Sequence, residues 1–303
     1  MKIGISITSA YQTSDVREGA RQMIARTRAA ATAGLDSLFV GDHHIVATPY
    51  YQNTPIIGRL LAEWDTRTSG ALLLLPLWNP VLAAEQIATL ACIAEGKFVM
   101  QCGLGTGNKQ FAAMGTKIKN RPSAFEQSLE CIRSLWAGET VSLDGRWKFS
   151  EARISPLPPT TIEVWIGASA PVAIDRAARM GDAWLADPSM TLQQAATAMD
   201  VYQSALAKHD KRTPDTIAIR RDIYVAESGE DAQQVKDLIS KQGYRGFDPE
   251  SLVIGPAEEV AAKFQAFQNL GYTDIIVRNL HSDPVSAVQS TERLATVIEM
   301  TGS

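Results

Sequence analysis

The chain predicts an α/β fold of the (β/α)8 TIM barrel class, one domain over residues 1–303 with an insertion around residues 138–162. Three observations point there. Short apolar strands alternate with longer 3.6-residue helical periods from end to end, the pattern of βαβ units on a parallel sheet. About eight such units can be read. The length of 303 residues suits one closed barrel, which typically takes about 250 residues.

Each element has a local reason. Lys2 to Thr8 reads as the first strand, and Val16, Ala20, Met23, Ile24, Thr27 and Ala31 then repeat on one helical face, ended by Gly34 as a C-cap. Asp36 to Gly41 is the second strand. Thr68 to Leu75 is the third, a nearly continuous apolar run of the kind found where both faces of a strand are covered. Pro80 opens a helix that runs through Leu90. Lys97 to Gly103 is the fourth strand, and Phe125, Leu129, Ile132 and Trp136 mark a helix after Pro122.

The alternation breaks from Thr140 to Thr161, where a hairpin-like Leu143-Asp144-Gly145-Arg146-Trp147 precedes Pro156-Leu157-Pro158-Pro159. It resumes with a strand at Glu163 to Gly167, a helix from about Pro171 to Met180, a strand at Ala183 to Ala186, a helix from Leu192 to Lys208 and a strand at Ile217 to Val225. Gln242 to Gly255 reads as a loop. Pro256 opens a helix with Val260, Phe264, Phe267 and Gly271 on one face, and Asp274 to Arg278 is the eighth strand.

Composition narrows the function. Lys and Arg number 29 against 33 Asp and Glu, a net charge of -4 with the basic residues spread along the chain, which argues against a nucleic-acid surface. Met1 to Ile7 carries one basic residue and a short apolar run, a first strand rather than a secretion signal, so a cytoplasmic protein is expected. The most apolar stretch, Leu72 to Leu82, is broken by Pro76 and Pro80 and falls short of the roughly 20 residues a membrane helix needs. Cys92, Cys102 and Cys131 are too scattered for a zinc set or a disulfide framework and read as small core residues. No metal site is expected, and His209 and His281 read as solvated.

Chemistry gathers around Gly41-Asp42-His43-His44, a polar run at the carboxyl end of a buried strand, where α/β enzymes place their sites. A histidine near neutral pKa can give or take a proton, and a neighbouring carboxylate can favour its charged form or fix its tautomer. His43 and Asp42 are the candidate catalytic residues; polar residues closing a strand by local hydrogen bonds are the plainer alternative. Side chains alternate along an extended segment, so Asp42 and His44 face away from His43 if the strand continues.

Two anion-binding candidates follow. In Gly103-Leu104-Gly105-Thr106-Gly107-Asn108 the glycines let the backbone approach a ligand and the Thr106 hydroxyl can bond a phosphate oxygen, although ordinary turn glycines read the same way. Gly167-Ala168-Ser169 leads into a helix whose free N-H groups and dipole favour an anion, with a plain Ser N-cap as the alternative. Tyr50 and Tyr51, with Gln52 and Asn53, could line a substrate pocket with Trp78 and Asn79, or decorate a surface loop.

The segments AGLDSLFVGDHH, LLLLPLWNPVLAAEQIATLACIAEGKF, GLGTGNKQFAAMG, WIGASAPVAIDRAARMGDAW and GPAEEVAAKFQAFQNLGYTDIIV together resemble the bacterial luciferase-like family of flavin-dependent oxidoreductases, in that family's order and over most of residues 1 to 280. The resemblance implies a barrel with a flavin at the carboxyl end of the strands and His43 beside its reactive part. It implies cofactor contacts at Ala71, Leu72, Asn79, Gly105, Thr106, Gly107, Gly167, Ala168 and Ser169, with a non-proline cis peptide near Ala71-Leu72. A homodimer is implied as well.

The activity implied first is that of a monooxygenase using reduced FMN and O2 on a small organic substrate, the FMN reduced by a separate NAD(P)H-dependent flavin reductase. The alternative is hydride transfer with coenzyme F420, toward which Asp42-His43, Asn79-Pro80 and Gly105-Thr106-Gly107 lean. Leu104 stands where luciferases place a phosphate-binding Arg, and Asn108 where deazaflavin sugar-phosphate dehydrogenases place a Glu. A non-catalytic flavin-binding barrel is the third reading, since fold does not fix function.

Overall fold

A computed structural model describes residues 1–302. The elements are β1 (Lys2–Ile7), α1 (Val16–Thr32), β2 (Ser37–Val40), α2 (Asn53–Leu60), β3 (Thr68–Leu74), α3 (Pro80–Ile93), β4 (Phe98–Gly103), α4 (Asn108–Ala113) and α5 (Arg121–Trp136). An inserted hairpin, β5 (Val141–Asp144) and β6 (Lys148–Ala152), precedes β7 (Glu163–Ala168), α6 (Pro171–Met180), β8 (Ala183–Ala186), α7 (Leu192–Lys208) and β9 (Ile217–Val225). α8 (Gly229–Gln242), β10 (Val253–Gly255), α9 (Ala257–Asn269), β11 (Asp274–Asn279), α10 (Pro284–Glu292) and α11 (Leu294–Thr301) complete the described chain.

The strands of the large sheet run in the order β10-β9-β11-β1-β2-β3-β4-β7-β8, and β8 also pairs with β9. Eight strands therefore close on themselves as a (β/α)8 TIM barrel. β9 is long enough to pair Ile217–Ile219 with β8 and Ile223–Val225 with the short β10.

Two compact units can be distinguished. The first comprises Met1–Thr8, Ala20–Phe39 and the residues from Trp165 onward. Within it β1 lies parallel to β11 from Lys2↔Asp274 to Ile5↔Val277, and β11 lies parallel to β9. These strands are buried along almost their whole length, so their apolar runs lack the alternation of a half-exposed sheet. Trp184 anchors this core, its ring 4.8 Å from Tyr202 and 5.9 Å from Tyr272. The second unit comprises Ser9–Gly19 and Val40–Val164. There β3 and β4 run in parallel register from Ser69↔Phe98 to Leu74↔Gly103, and the Trp136 indole donates to the Ala84 carbonyl at 3.1 Å, fastening α5 to α3.

Several expectations change. The loop assigned to Gln242–Gly255 contains a turn of 3-10 helix at Pro249–Ser251 and the strand β10, which at three residues is too short to show a period. α8 rests on Ala232, Val235 and Ile239, with the Ser228 side chain accepting from the Asp231 amide. Cys92 is exposed while Cys102 and Cys131 are buried, because Cys92 falls on the outer side of the last turn of α3. His209 is not simply solvated: Nε2 lies 3.1 Å from Asp175 Oδ1. The His281 ring is 5.2 Å from that of Tyr224, and its Nδ1 accepts from the Asp283 amide at 3.1 Å.

The peptide at Ala71-Leu72 is not cis; among the described residues the cis bond is Ser155-Pro156. The unbroken ladder between β3 and β4 leaves no bulge at that point. Among the described residues no helix is long and apolar enough to cross a membrane, and no group of His, Cys, Asp and Glu could hold a metal ion.

Candidate active site

β2 ends at Val40 and the next four residues have no regular secondary structure. The side chains of Asp42 and His44 nonetheless come together. Asp42 is 5% exposed. Its Oδ2 accepts two hydrogen bonds of 2.7 Å, from the Leu74 amide at the end of β3 and from the Trp78 indole. Its Oδ1 lies 3.1 Å from His44 Nε2.

This contact raises the pKa of His44, burial opposing it. Asp42 Oδ2 accepts from two N-H groups, while Oδ1 and His44 Nε2 face each other without hydrogen-bond geometry, and a carboxylate so placed favours the charged form of His44. The Trp78 ring, 5.9 Å from the His44 ring, covers the pair.

His43 turns to the other side, its ring 6.0 Å from that of Tyr50, and its carbonyl accepts from Gln52 Nε2 at 3.3 Å. The structure thus divides the histidine run. His44, which the sequence left open, is the imidazole beside Asp42; His43 stands beside a tyrosine.

A second chain of contacts ties this segment to the glycine-rich loop. The His44 amide donates to Gln110 Oε1 at 2.7 Å, and Gln110 Nε2 donates to the Thr106 carbonyl at 3.0 Å. Gln110 is buried in α4. Gly105 and Gly107 have φ of +72° and +88°, conformations that L side chains rarely adopt.

The carbonyls of residues 105 to 107 are engaged by the protein, Gly105 with Arg121 Nη1 at 2.9 Å, Thr106 with Gln110, and Gly107 with the Phe111 amide at 3.3 Å. With its carbonyl dipoles tied back and the Arg121 guanidinium beside it, the loop suits an anionic group. These residues fit a flavin-type cofactor with a phosphate-bearing side chain. Gln110 and Arg121 were missed in the sequence because neither carries a local signal; a glutamine inside a short helix acquires its role through partners 66 and 4 residues away.

The remaining candidates are placed as follows. Asn53, buried in the first turn of α2, donates to the Leu72 carbonyl at 2.6 Å and so holds β3 beside Ala71 and Leu72. Asn79 is the N-cap of α3, accepting from Val81 at 2.9 Å and Leu82 at 3.4 Å. Tyr51 donates its hydroxyl to the Val16 carbonyl and sets its ring against Tyr11. Gly167, Ala168 and Ser169 belong with the first unit. Ser169 is exposed and is not the N-cap of α6, a place taken by Ala170 without a side-chain bond, and the Ala168 carbonyl accepts from the Trp184 indole at 3.0 Å.

A family described as luciferase-like monooxygenase matches residues 1–248. An F420-dependent glucose-6-phosphate dehydrogenase of Beutenbergia cavernae is 30% identical over 190 residues, 58% of this chain and 55% of that protein. One of Kribbella flavida is 28% identical over 192 residues, 60% of this chain and 58% of that protein. The chain therefore spans little more than half the length of these curated relatives.

Among solved structures, the monooxygenase RslO1 from Streptomyces bottropensis superposes with a TM-score of 0.87 at 18% identity over 100% of both chains. An F420-dependent secondary alcohol dehydrogenase in complex with an F420-acetone adduct gives 0.80 at 16% identity over 99% of this chain and 98% of that one. At such identities these likenesses establish the fold. With the match over residues 1–248, the chain belongs to the luciferase-like monooxygenase family.

Proposed function

We propose that the chain is an F420-dependent oxidoreductase that moves a hydride between the deazaflavin and a small organic alcohol or carbonyl compound, in place of the FMN- and O2-dependent activity expected first. The observation that carries this reading is the naming of the curated relatives, F420-dependent dehydrogenases matched at 30% and 28% identity. Asp42-His43, Asn79-Pro80 and Gly105-Thr106-Gly107 lean the same way.

F420, when bound, supplies the hydride acceptor or donor. The Gly105–Gly107 loop and Arg121 would hold its anionic side chain. His43 takes up the proton that leaves a substrate hydroxyl as the carbon is oxidised, or returns it in the reverse direction. Asp42 and His44 position this segment, Asp42 through Leu74 and Trp78, and His44 through Gln110. Glucose 6-phosphate is the first substrate to try, although Asn108 replaces the Glu that the sugar-phosphate enzymes carry there.

The test is a fluorescence titration of the purified chain with F420 and, separately, with FMN, followed by anaerobic assay with glucose 6-phosphate and simple alcohols. Tight F420 binding with substrate-dependent loss of its absorbance supports the proposal. Binding of FMN alone, with O2 consumed in the presence of a reductase, would return the monooxygenase reading. Binding of neither would favour a non-catalytic barrel.

A further inference from the structure

β9 places Arg220 and Asp222 two residues apart and so on one face of the strand. Arg221 between them faces the other way, its guanidinium 4.2 Å over the Phe267 ring of α9 and its Nη1 donating to the Pro188 carbonyl at 2.9 Å. The parallel register sets Arg278 of β11 directly beside Asp222. Arg220, Asp222 and Arg278 therefore share the sheet face turned away from α9, in the carboxyl half of β11 and the middle of β9.

The segment after α8 adds two more groups. The Tyr244 hydroxyl donates to Asp222 Oδ2 at 2.8 Å, and Arg245 Nη1 to the same oxygen at 2.7 Å. Tyr244 is fixed by packing against the core of Tyr224, Val235, Leu252 and Ile254. Arg245 is held at a φ of +53°, uncommon for a residue with a side chain and sustained only where the surroundings impose it.

The charges in this cluster do not balance. The Asp222 carboxylate is fully buried and both its hydrogen bonds fall on Oδ2. Arg220 Nη2 lies 3.9 Å from Oδ1, too far for a hydrogen bond. Arg220 Nε and Asp222 Oδ1 are both buried without a hydrogen-bond partner. Arg278 Nε reaches the Thr8 hydroxyl at 3.4 Å.

Asp187 also acts on Arg220, but its Oδ1 is already taken by the amide and hydroxyl of Ser189 at 2.9 and 2.5 Å. Three guanidiniums thus face two carboxylates, one positive charge in excess, with Arg220 Nε unfilled. A poorly hydrated cation with orphaned donors is costly unless an anion completes it, and the planar fork of arginine matches phosphate and carboxylate oxygens.

We propose that Arg220, Arg245 and Arg278 form a binding site for the oxyanion group, phosphate or carboxylate, of a small-molecule ligand, with Asp222 and Tyr244 as positioning residues. Side-chain exposures of 19% for Arg220 and 39% for Arg245 leave the site reachable from solvent. The site is argued without reference to the cofactor, so it stands or falls separately from the F420 reading.

The experiment is calorimetric titration of the full chain, without cofactor, with inorganic phosphate and with acetate at constant ionic strength. Saturable binding of either anion is expected. It should weaken about tenfold or more in Arg220→Met and in Arg278→Met, less in the exposed Arg245→Gln, and not at all in Arg59→Gln, a surface residue paired with Glu63. Circular dichroism checks that the variants are folded; if the two half-buried replacements unfold, Arg245→Gln against Arg59→Gln still decides. Absence of saturable binding of both anions by the unaltered chain, or equal affinity in Arg245→Gln and its control, overturns the proposal.

Discussion

Nε2 of His44 lies 3.1 Å from Oδ1 of Asp42, so the carboxylate of the Asp-His-His run serves the second histidine and not the first. The other oxygen of Asp42 fastens the end of β3 and the Trp78 indole. One buried anion thereby sets the protonation of His44 and the position of two neighbouring segments.

Asp42→Ala removes the acceptor from the buried Leu74 amide and the half-buried Trp78 indole. A loss of about 1–3 kcal/mol for each donor left unsatisfied is expected, read as a lowered urea midpoint. An unchanged midpoint would mean that both donors find other partners.

The pKa of His44 is raised above its ordinary 6.5 in the folded chain, chiefly by the contact with Asp42. The charged form is therefore favoured by folding, and the stability it contributes is complete below about pH 6.5 and lost as pH rises through the folded value. The stability difference between the unaltered chain and His44→Gln should shrink over that window when urea midpoints are compared at a series of pH values. A pH-independent difference would show that the ion pair adds nothing.

Gln110→Ala cuts the link between the His44 amide and the Thr106 carbonyl. The helix should persist, since alanine is a strong helix former, while cofactor affinity falls about fivefold to tenfold through the loosened loop, a change worth about 1 kcal/mol. Fluorescence titration checks it; an unaltered affinity would separate this link from cofactor binding.

Gly107→Ala forces a side chain into a φ of +88° with open space around it. The cost is backbone strain and not a clash, about 1–3 kcal/mol, visible as a lowered melting temperature together with weaker cofactor binding. A melting temperature equal to that of the unaltered chain would mean that the loop rearranges freely.

The thiols should divide by burial. Cys92 is exposed, whereas Cys102 and Cys131 are buried and burial pushes the Cys131 thiol up to about 11. Titration with a chromogenic disulfide should find one fast-reacting thiol in the native chain and three after denaturation. Three fast thiols in the native state would contradict this packing.

Much of the barrel can be read before folding because its signal is local. Alternating periods place β1, β2, β3, β4, β7, β8, β9 and β11 within a residue or two of their observed ends. β10 escapes, as three residues have no period, and α2 was hidden by the polar Gln52 and Asn53 at its start. The cis bond expected at Ala71-Leu72 came from family likeness and not from any residue there, and the strand runs through it unbroken.

The candidate site was half legible. Alternation would set Asp42 and His44 on one side and His43 on the other if the strand continued; the strand ends at Val40, and the two side chains still meet. The sequence by itself singled out the glycines after β4, of which Gly105 and Gly107 turn with positive φ. Only the tertiary structure decided which oxygen of Asp42 meets which donor, that Gln110 joins the histidine segment to the glycine loop, and that Arg220, Arg245 and Arg278 converge on Asp222. Most of those contacts depend on strand register and loop return over distances from 22 to 66 residues along the chain, and no local pattern encodes which distant side chain will arrive.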